Sequence, residues 1–507
     1  IEFPCPSPSA PVARRLKGPS YARPSIGVCA AFSSEVLAWQ PPVLCYDCAV
    51  NASERLARFV VETESVPEDA IAQAKRALLD TLGVTLAGSQ EESARIVADW
   101  VREQGGRAEA AVLGRSFRAP AADAALANGA AAHALDFDDV SLPMRGHPSA
   151  PLLPAVLAVA EKASRSGRDL LTAFVLGFEV ETSLGRAIGE SHYALGWHAT
   201  STLGTLGAAA ACARLLRLDA ARAQMALGIA ASLAAGLQQN FGTMTKPLHA
   251  GWAARNGVVA AELAARGFTA DRHALEGESG FLRAMSGGAE PDLESIASLG
   301  RPYQITSSGF GVKLYPCCYA VHRSLDAVFE MKARHRIDHA SIEAIRVEVS
   351  RGSLMPLRRD SPATGLEGKF SLEYCLAAAL VDGRVALASF TDEAVSRPVV
   401  RRMMAKIEVS EGPDESGGTF PIGGYSEVRI VLRGGEEQFL RVDTPRGDPS
   451  RPLSWEELTE KFRDCAQGVL PSEATEGAVG LIARLEDVQD LAELTEALTG
   501  AATEAHP

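Results

Sequence analysis

From residue 121 to 266 the chain returns again and again to small apolar residues at helical spacing, with few charges among them. The stretches 191–213 and 223–245 contain no Asp, Glu, Lys or Arg. Each is long enough to cross a bilayer, but each is broken by polar residues: His, Thr and Ser in the first, Gln, Asn and Thr in the second. They read as buried helices of a globular protein, not as membrane spans. Alanine dominates the apolar class, and small side chains let helix axes approach closely. A chain built this way folds around a large helical body.

The periodicity predicts helices at 53–64, 70–86, 93–104, 121–135, 152–164, 170–188, 201–215, 218–235 and 250–266, with one short strand at 110–113. The pattern changes after 313. A helix at 320–334 is followed by a strand at 342–349 and a helix at 371–381. Strands follow at 406–410, 425–432 and 438–442, the last two joined through Arg433-Gly-Gly as a hairpin. From 454 the pattern is helical again, at 455–469, 474–485 and 489–498. The expected fold class is mainly α with an α+β second domain. An all-helical domain of 53–310 and 451–500 would be built from both chain ends, with an α+β lid domain of 311–450 inserted and a cleft between them. Residues 1–52 carry eight of the prolines before position 43 and little periodicity, and read as a disordered leader or extension.

The net charge of -13 and the absence of a basic stripe exclude a nucleic-acid binder. The nine cysteines are scattered, and only Cys45 and Cys48 share a metal or redox spacing, with no second pair to complete a site. The expected setting is reducing and cytoplasmic.

The polar residues collect at helical junctions. Asp136-Phe-Asp-Asp139 places three carboxylates at a helix end, where they oppose the helix dipole and so do not serve helix stability. His147 follows, with Ser149 as an expected N-cap and Pro151 in the first turn. An Asp and a His held between two helices can act as a general acid/base pair. His198 precedes another helix. Lys246 and His249 flank Pro247 near the start of the 250–266 helix, with Lys246 expected to be extended before the proline. A cation and an imidazole at a helix N-terminus suit a carboxylate. Lys313 and His322 flank a proline at the next junction. Histidines beside helix ends commonly serve as caps, but six of the ten histidines (His133, His147, His192, His198, His249 and His322) lie at these junctions, which favours a site.

These stretches resemble a known family. Asp136-Phe-Asp-Asp139, Gly146-His-Pro-Ser149, Gly196-Trp-His198, Thr243-Met-Thr-Lys-Pro-Leu-His-Ala-Gly251 and Lys313-Leu-Tyr-Pro-Cys-Cys318 are similar, in this order, to motifs of the MmgE/PrpD family. That family includes 2-methylcitrate dehydratase, cis-aconitate decarboxylase and iminodisuccinate epimerase. The resemblance implies a homodimer acting without metal or other cofactor on a small polycarboxylate. It implies a catalytic set of Asp136, His147, His198, Lys246 and Lys313, with His249, Cys318 and Tyr374 contacting substrate. Val140 stands where some decarboxylases have Thr, and Cys318 where a mammalian-type decarboxylase has His. The expected activity is that of a lyase of the 2-methylcitrate dehydratase type. Decarboxylation of the cis-aconitate kind and epimerisation of the iminodisuccinate kind are the alternatives, and a non-catalytic carboxylate-binding protein is a more remote one. In all three reactions a lysine pair would stabilise an enolate-like charge while a histidine or carboxylate moves a proton beside a carboxylate. The lysines are expected at the rim of a cleft, where they add little to stability.

Overall fold

A computed structural model of the chain describes residues 51–358, 360–413 and 424–499. The expected leader at 1–52 lies, apart from its last two residues, outside the described residues.

The helical block is present almost as the periodicity predicts. Its main helices are Ala52–Glu62, Glu68–Gly88, Glu92–Gln104, Ala121–Ala134, Ser149–Lys162, Gly167–Ile188, Ala199–Leu215, Ala220–Leu233 and Thr245–Ala265. The central ones are buried on all sides: nearly every residue of Ala121–Ala134 and Ala199–Leu215 is shielded from water. Such helices are apolar all round because neighbours cover every face. Small residues set their separation. A Cβ at Gly129 would lie 2.8 Å from the Cα of Gly251, so Ala121–Ala134 and Thr245–Ala265 meet backbone against backbone. The expected strand at 110–113 is the shorter Ala110–Ala111, paired antiparallel with Arg118–Ala119.

Beyond residue 313 the helices His322–His335 and Leu372–Asp382 pack with a four-stranded sheet. The sheet order is Ile407–Glu411, Ile342–Val349, Ser426–Leu432, Glu437–Val442. The first pair is parallel, with Ile345 opposite Ile407, and the others are antiparallel. Ile345, Val347, Val428 and Ile430 point into a second hydrophobic cluster with Leu325, Val328 and Leu376. The helix Pro398–Met404 was not expected from periodicity; with seven residues and two arginines it is too short to show an apolar stripe.

The C-terminal helices Trp455–Ala466, Ser472–Ala483 and Ala492–Thr499 contribute Leu458, Phe462, Ile482 and Leu494 to the first cluster, alongside Leu79 and Leu82. Phe462 seats over Gly83, whose Cα leaves just enough room for the ring. No helix among the described residues is long and apolar enough to cross a membrane, in agreement with the polar interruptions in 191–213 and 223–245.

Phe462 is completely buried, so Phe462→Ala should destabilise the protein by about 3–5 kcal/mol through lost transfer energy and the cavity left behind. Urea unfolding checks this; a change below about 1 kcal/mol would mean that the C-terminal helices do not share the helical core.

Candidate active site

The helix Ala121–Ala134 ends at Leu135, and Asp136 then takes a left-handed conformation with φ of 53°. A non-glycine residue held there is strained and needs its surroundings to impose it. The turn aims Asp136 toward Lys246 and Lys313. The Lys246 ammonium contacts Asp136 Oδ1, and Lys313 Nζ lies 3.1 Å from Oδ2 and donates to the Asp136 carbonyl at 2.7 Å. All three side chains are buried. Burial alone would raise the Asp136 carboxyl, but the two ammonium groups outweigh it and hold the carboxyl well below the usual range. Burial opposes the charge on Lys313, yet Asp136 and Asp138 raise its affinity for the proton.

Asp138 backs the next layer. Its Oδ2 accepts from His133 Nδ1 at 2.8 Å and lies 3.1 Å from His147 Nδ1. Asp138 thus turns Nε2 of His147 outward, 3.7 Å from Asp136 Oδ1. The His147 backbone N–H donates to Thr200 Oγ1 at 3.0 Å, which anchors the loop to the helix that follows His198. His198 is the N-cap residue of Ala199–Leu215, yet its ring makes no cap bond. Instead its Nδ1 pairs with His249 Nδ1 at 3.0 Å, and its ring meets Phe241 edge-on. Burial lowers the proton affinity of all four imidazoles, that of His133 to about 3 and that of His249 to about 4, and His198 falls well below its ordinary value with nearby cations adding to the effect. The site therefore holds neutral imidazoles beside the ion-paired Asp136, Lys246 and Lys313.

One cavity gathers these groups. Asp136, His147, His198, Lys246, Lys313 and Cys318 line it, so six of the eight expected site residues come together. Val140, Tyr193, Phe241 and Phe370 supply its apolar wall, and Arg145 and Arg323 add guanidinium groups. The other two expected contacts do not line it. His249 is held one layer back against His198. Tyr374 is fully buried in the second hydrophobic cluster, with its hydroxyl donating to the Ser389 carbonyl. Three further expectations are corrected. Lys246 is helical, not extended, because Thr245–Ala265 starts early enough to place Pro247 in the first turn, where its missing N–H costs nothing. Ser149 does not cap its helix; it is the first helical residue, and its hydroxyl donates to Asp139 Oδ2 at 2.5 Å. The two lysines are enclosed instead of standing at a cleft rim, so removing either leaves part of a buried charge uncompensated. Of the junction histidines, His192 and His322 are structural: His192 bonds Met285 and Thr202, and His322 faces the Cys317 carbonyl.

Sequence reasoning gave no role to Asp138 and none to His133 beyond its junction; a histidine five residues before a carboxylate across a helix end was the available signal. Nor did the Asp run show a metal-binding spacing. In the fold, ligand atoms of His133, Asp136, Asp138 and His147 lie within 4.8 Å of one another. Within this group Asp136 is paired with Lys246 and Lys313, and Oδ2 of Asp138 faces both imidazoles.

Models of the MmgE/PrpD N-terminal and C-terminal domains match residues 54–294 and 315–487. The chain belongs to the MmgE/PrpD family. Among curated members, cis-aconitate decarboxylase of Homo sapiens is 33% identical over 439 residues, covering 85% of this chain and 90% of that protein. Cis-aconitate decarboxylase of Mus musculus is 33% identical over 447 residues, covering 85% and 89%. That of Aspergillus terreus is 28% identical over 463 residues, covering 86% and 93%. The two departures noted in the MmgE/PrpD motifs, Val140 and Cys318, both lie in the cavity wall.

Asp139 generates a prediction. Burial raises its carboxyl to about 8, with Asp80 and Asp138 adding to the rise and Ser149 opposing it. A carboxyl near 4 in the unfolded chain and near 8 in the folded one favours folding at low pH, and that contribution is lost as pH rises through the folded value. Asp139→Asn should therefore gain stability relative to wild type as pH climbs from about 4 to 8, then level off. Denaturant unfolding of both proteins across that range checks it; a pH-independent difference would show that Asp139 is ionised in the fold.

Proposed function

We propose that the protein is a carboxy-lyase that decarboxylates cis-aconitate or a closely similar unsaturated tricarboxylate. The observation that carries this reading is the similarity to cis-aconitate decarboxylases over most of both chains, which favours decarboxylation over the expected dehydratase chemistry. The cavity supports it independently. Lys246, Lys313, Arg145 and Arg323 offer cations to a polyanion, while Phe241, Phe370 and Val140 exclude water around it.

The chemistry follows from the groups present. In cis-aconitate the carboxylate on the methylene carbon departs as carbon dioxide. The electron pair of the broken C–C bond becomes a new double bond to the central carbon, and the former π pair at the vinylic CH takes a proton. The reaction consumes one proton and converts a trianion into methylenesuccinate, a dianion. Lys246 and Lys313 would bind the carboxylates that stay and stabilise the charge that spreads onto them in the transition state. His147, with Asp138 behind its Nδ1, would deliver the proton from Nε2. Burial keeps the His147 imidazole neutral; a trianion beside it would add negative charge that favours the protonated form, so substrate binding would itself help to charge the donor. His198, steadied by His249, also lines the cavity and would be the second proton-handling group.

Incubation of cis-aconitate with the enzyme in deuterated buffer, followed by NMR, tests the reading. Methylenesuccinate carrying one deuterium at the former vinylic carbon is expected. Water loss from 2-methylcitrate without carbon dioxide release from cis-aconitate would assign the dehydratase activity instead. The placement of Val140 and Cys318 in the wall favours one variant of this reading, in which the preferred tricarboxylate differs from cis-aconitate in the substituent facing those residues.

Two further outcomes follow. Lys246→Met, Lys313→Met and His147→Gln should each lower turnover per folded molecule by roughly a hundredfold or more. Both lysine variants should also melt earlier, because Asp136 keeps only one counter-cation. Wild-type turnover by folded variants would remove the cavity from consideration. Activity should also survive exhaustive chelation, since the lysines do the electrostatic work; loss that Mg²⁺, Zn²⁺ or Fe²⁺ restores would assign the His133–His147 cluster to a cation.

A further inference from the structure

The carbonyls that follow a helix are normally left to water or to capping groups. After Ala121–Ala134 three consecutive carbonyls each accept a hydrogen bond from a different lysine. Lys369 Nζ donates to Leu135 O at 2.6 Å, Lys313 Nζ to Asp136 O at 2.7 Å and Lys461 Nζ to Phe137 O at 2.9 Å. The three lysines come from distant parts of the chain: Lys369 follows the short helix Gly365–Gly368, Lys313 precedes His322–His335, and Lys461 lies within Trp455–Ala466. The frame is also closed on itself. Lys461 Nζ donates to the Lys313 carbonyl at 2.9 Å, and the Cys318 N–H donates to the Lys369 carbonyl at 2.9 Å. Lys461 also lies 2.6 Å from the buried carboxylate of Asp80 and 3.7 Å from the centre of the Phe137 ring.

Of the three, Lys313 alone lines the cavity. Lys369 and Lys461 have no route to substrate, yet they grip the residues on either side of strained Asp136. We propose that Lys369 and Lys461 are positioning residues: by holding the Leu135 and Phe137 carbonyls they set the turn that places Asp136 against Lys246 and Asp138 against His147. The cations also oppose the negative end of the helix dipole, to which the ionised Asp136 and Asp138 add their own charge. Without either lysine the turn can relax toward ordinary backbone angles, and the carboxylates leave register with the imidazoles.

The test uses the full chain and rests on the proposed decarboxylation only for its assay; wild-type protein run in parallel shows whether that assay works at all. Lys369→Met and Lys461→Met should lower kcat by roughly tenfold to a hundredfold, the cost of a displacement near 1 Å in a reacting geometry, with KM changing by less than about threefold. Lys461→Met also strands the buried Asp80, so it is paired with Asp80→Asn/Lys461→Met, which removes both charges. The double variant should recover the melting temperature but not kcat. Recovery of both would overturn the proposal, because Lys461 would then only neutralise Asp80. Normal kcat in folded Lys369→Met or Lys461→Met would overturn it as well, as would a loss of turnover that merely tracks the loss of folded protein in every variant.

Discussion

The carboxylate of Asp136 is enclosed between two ammonium groups, and much of the architecture is arranged so that this triad can exist. A carboxylate taken out of water at such depth is tolerated only if its partners are held in place. One partner, Lys246, rides on the first turn of Thr245–Ala265, and the other, Lys313, sits at the entry to the second hydrophobic cluster. The triad joins two helices and the segment that follows them, so the site and the packing of the chain are one problem. It also sets the charge of the cavity. Asp136 is committed to the lysines, and burial holds the surrounding imidazoles neutral.

The helical body was legible because its signal is repeated many times. Central helices such as Ala121–Ala134 and Ala199–Leu215 are rich in small apolar residues, and their burial on every face follows from the near-absence of charge. The sheet was legible where strands alternate, as in Ile342–Val349. Its parallel pairing with Ile407–Glu411 was not, because partner and direction depend on contacts between residues some sixty positions apart. Lys246 shows where a local rule yields: the residue before a proline avoids the helical region, but here the pull of Asp136 and the packing of the whole helix decide.

The site was legible to the extent that its residues belong to short ordered motifs. Asp136, His147, His198, Lys246, Lys313 and Cys318 meet in the cavity as their motifs imply. Tyr374 does not: it stands outside those five motifs, and its ring fills the second core. Asp138, Lys369 and Lys461 escaped for a different reason. They act by supporting other residues, and a supporting role has no spacing of its own in the sequence. Only the fold reveals that three distant lysines finish one helix.

The backbone-on-backbone contact at Gly129 and Gly251 has a consequence for how such a protein can change. Where two helices touch through their main chains, no side chain between them can be enlarged or trimmed to adjust their spacing. The span from the turn bearing Asp136 to the turn bearing Lys246 is therefore a fixed gauge, inherited whole by any descendant that keeps the two glycines. Diversification is left to Val140, Cys318, Phe370 and their neighbours, which line the chamber without carrying that joint. A lineage organised in this way can reshape its chamber wall while the Asp136–Lys246 pairing stays in place.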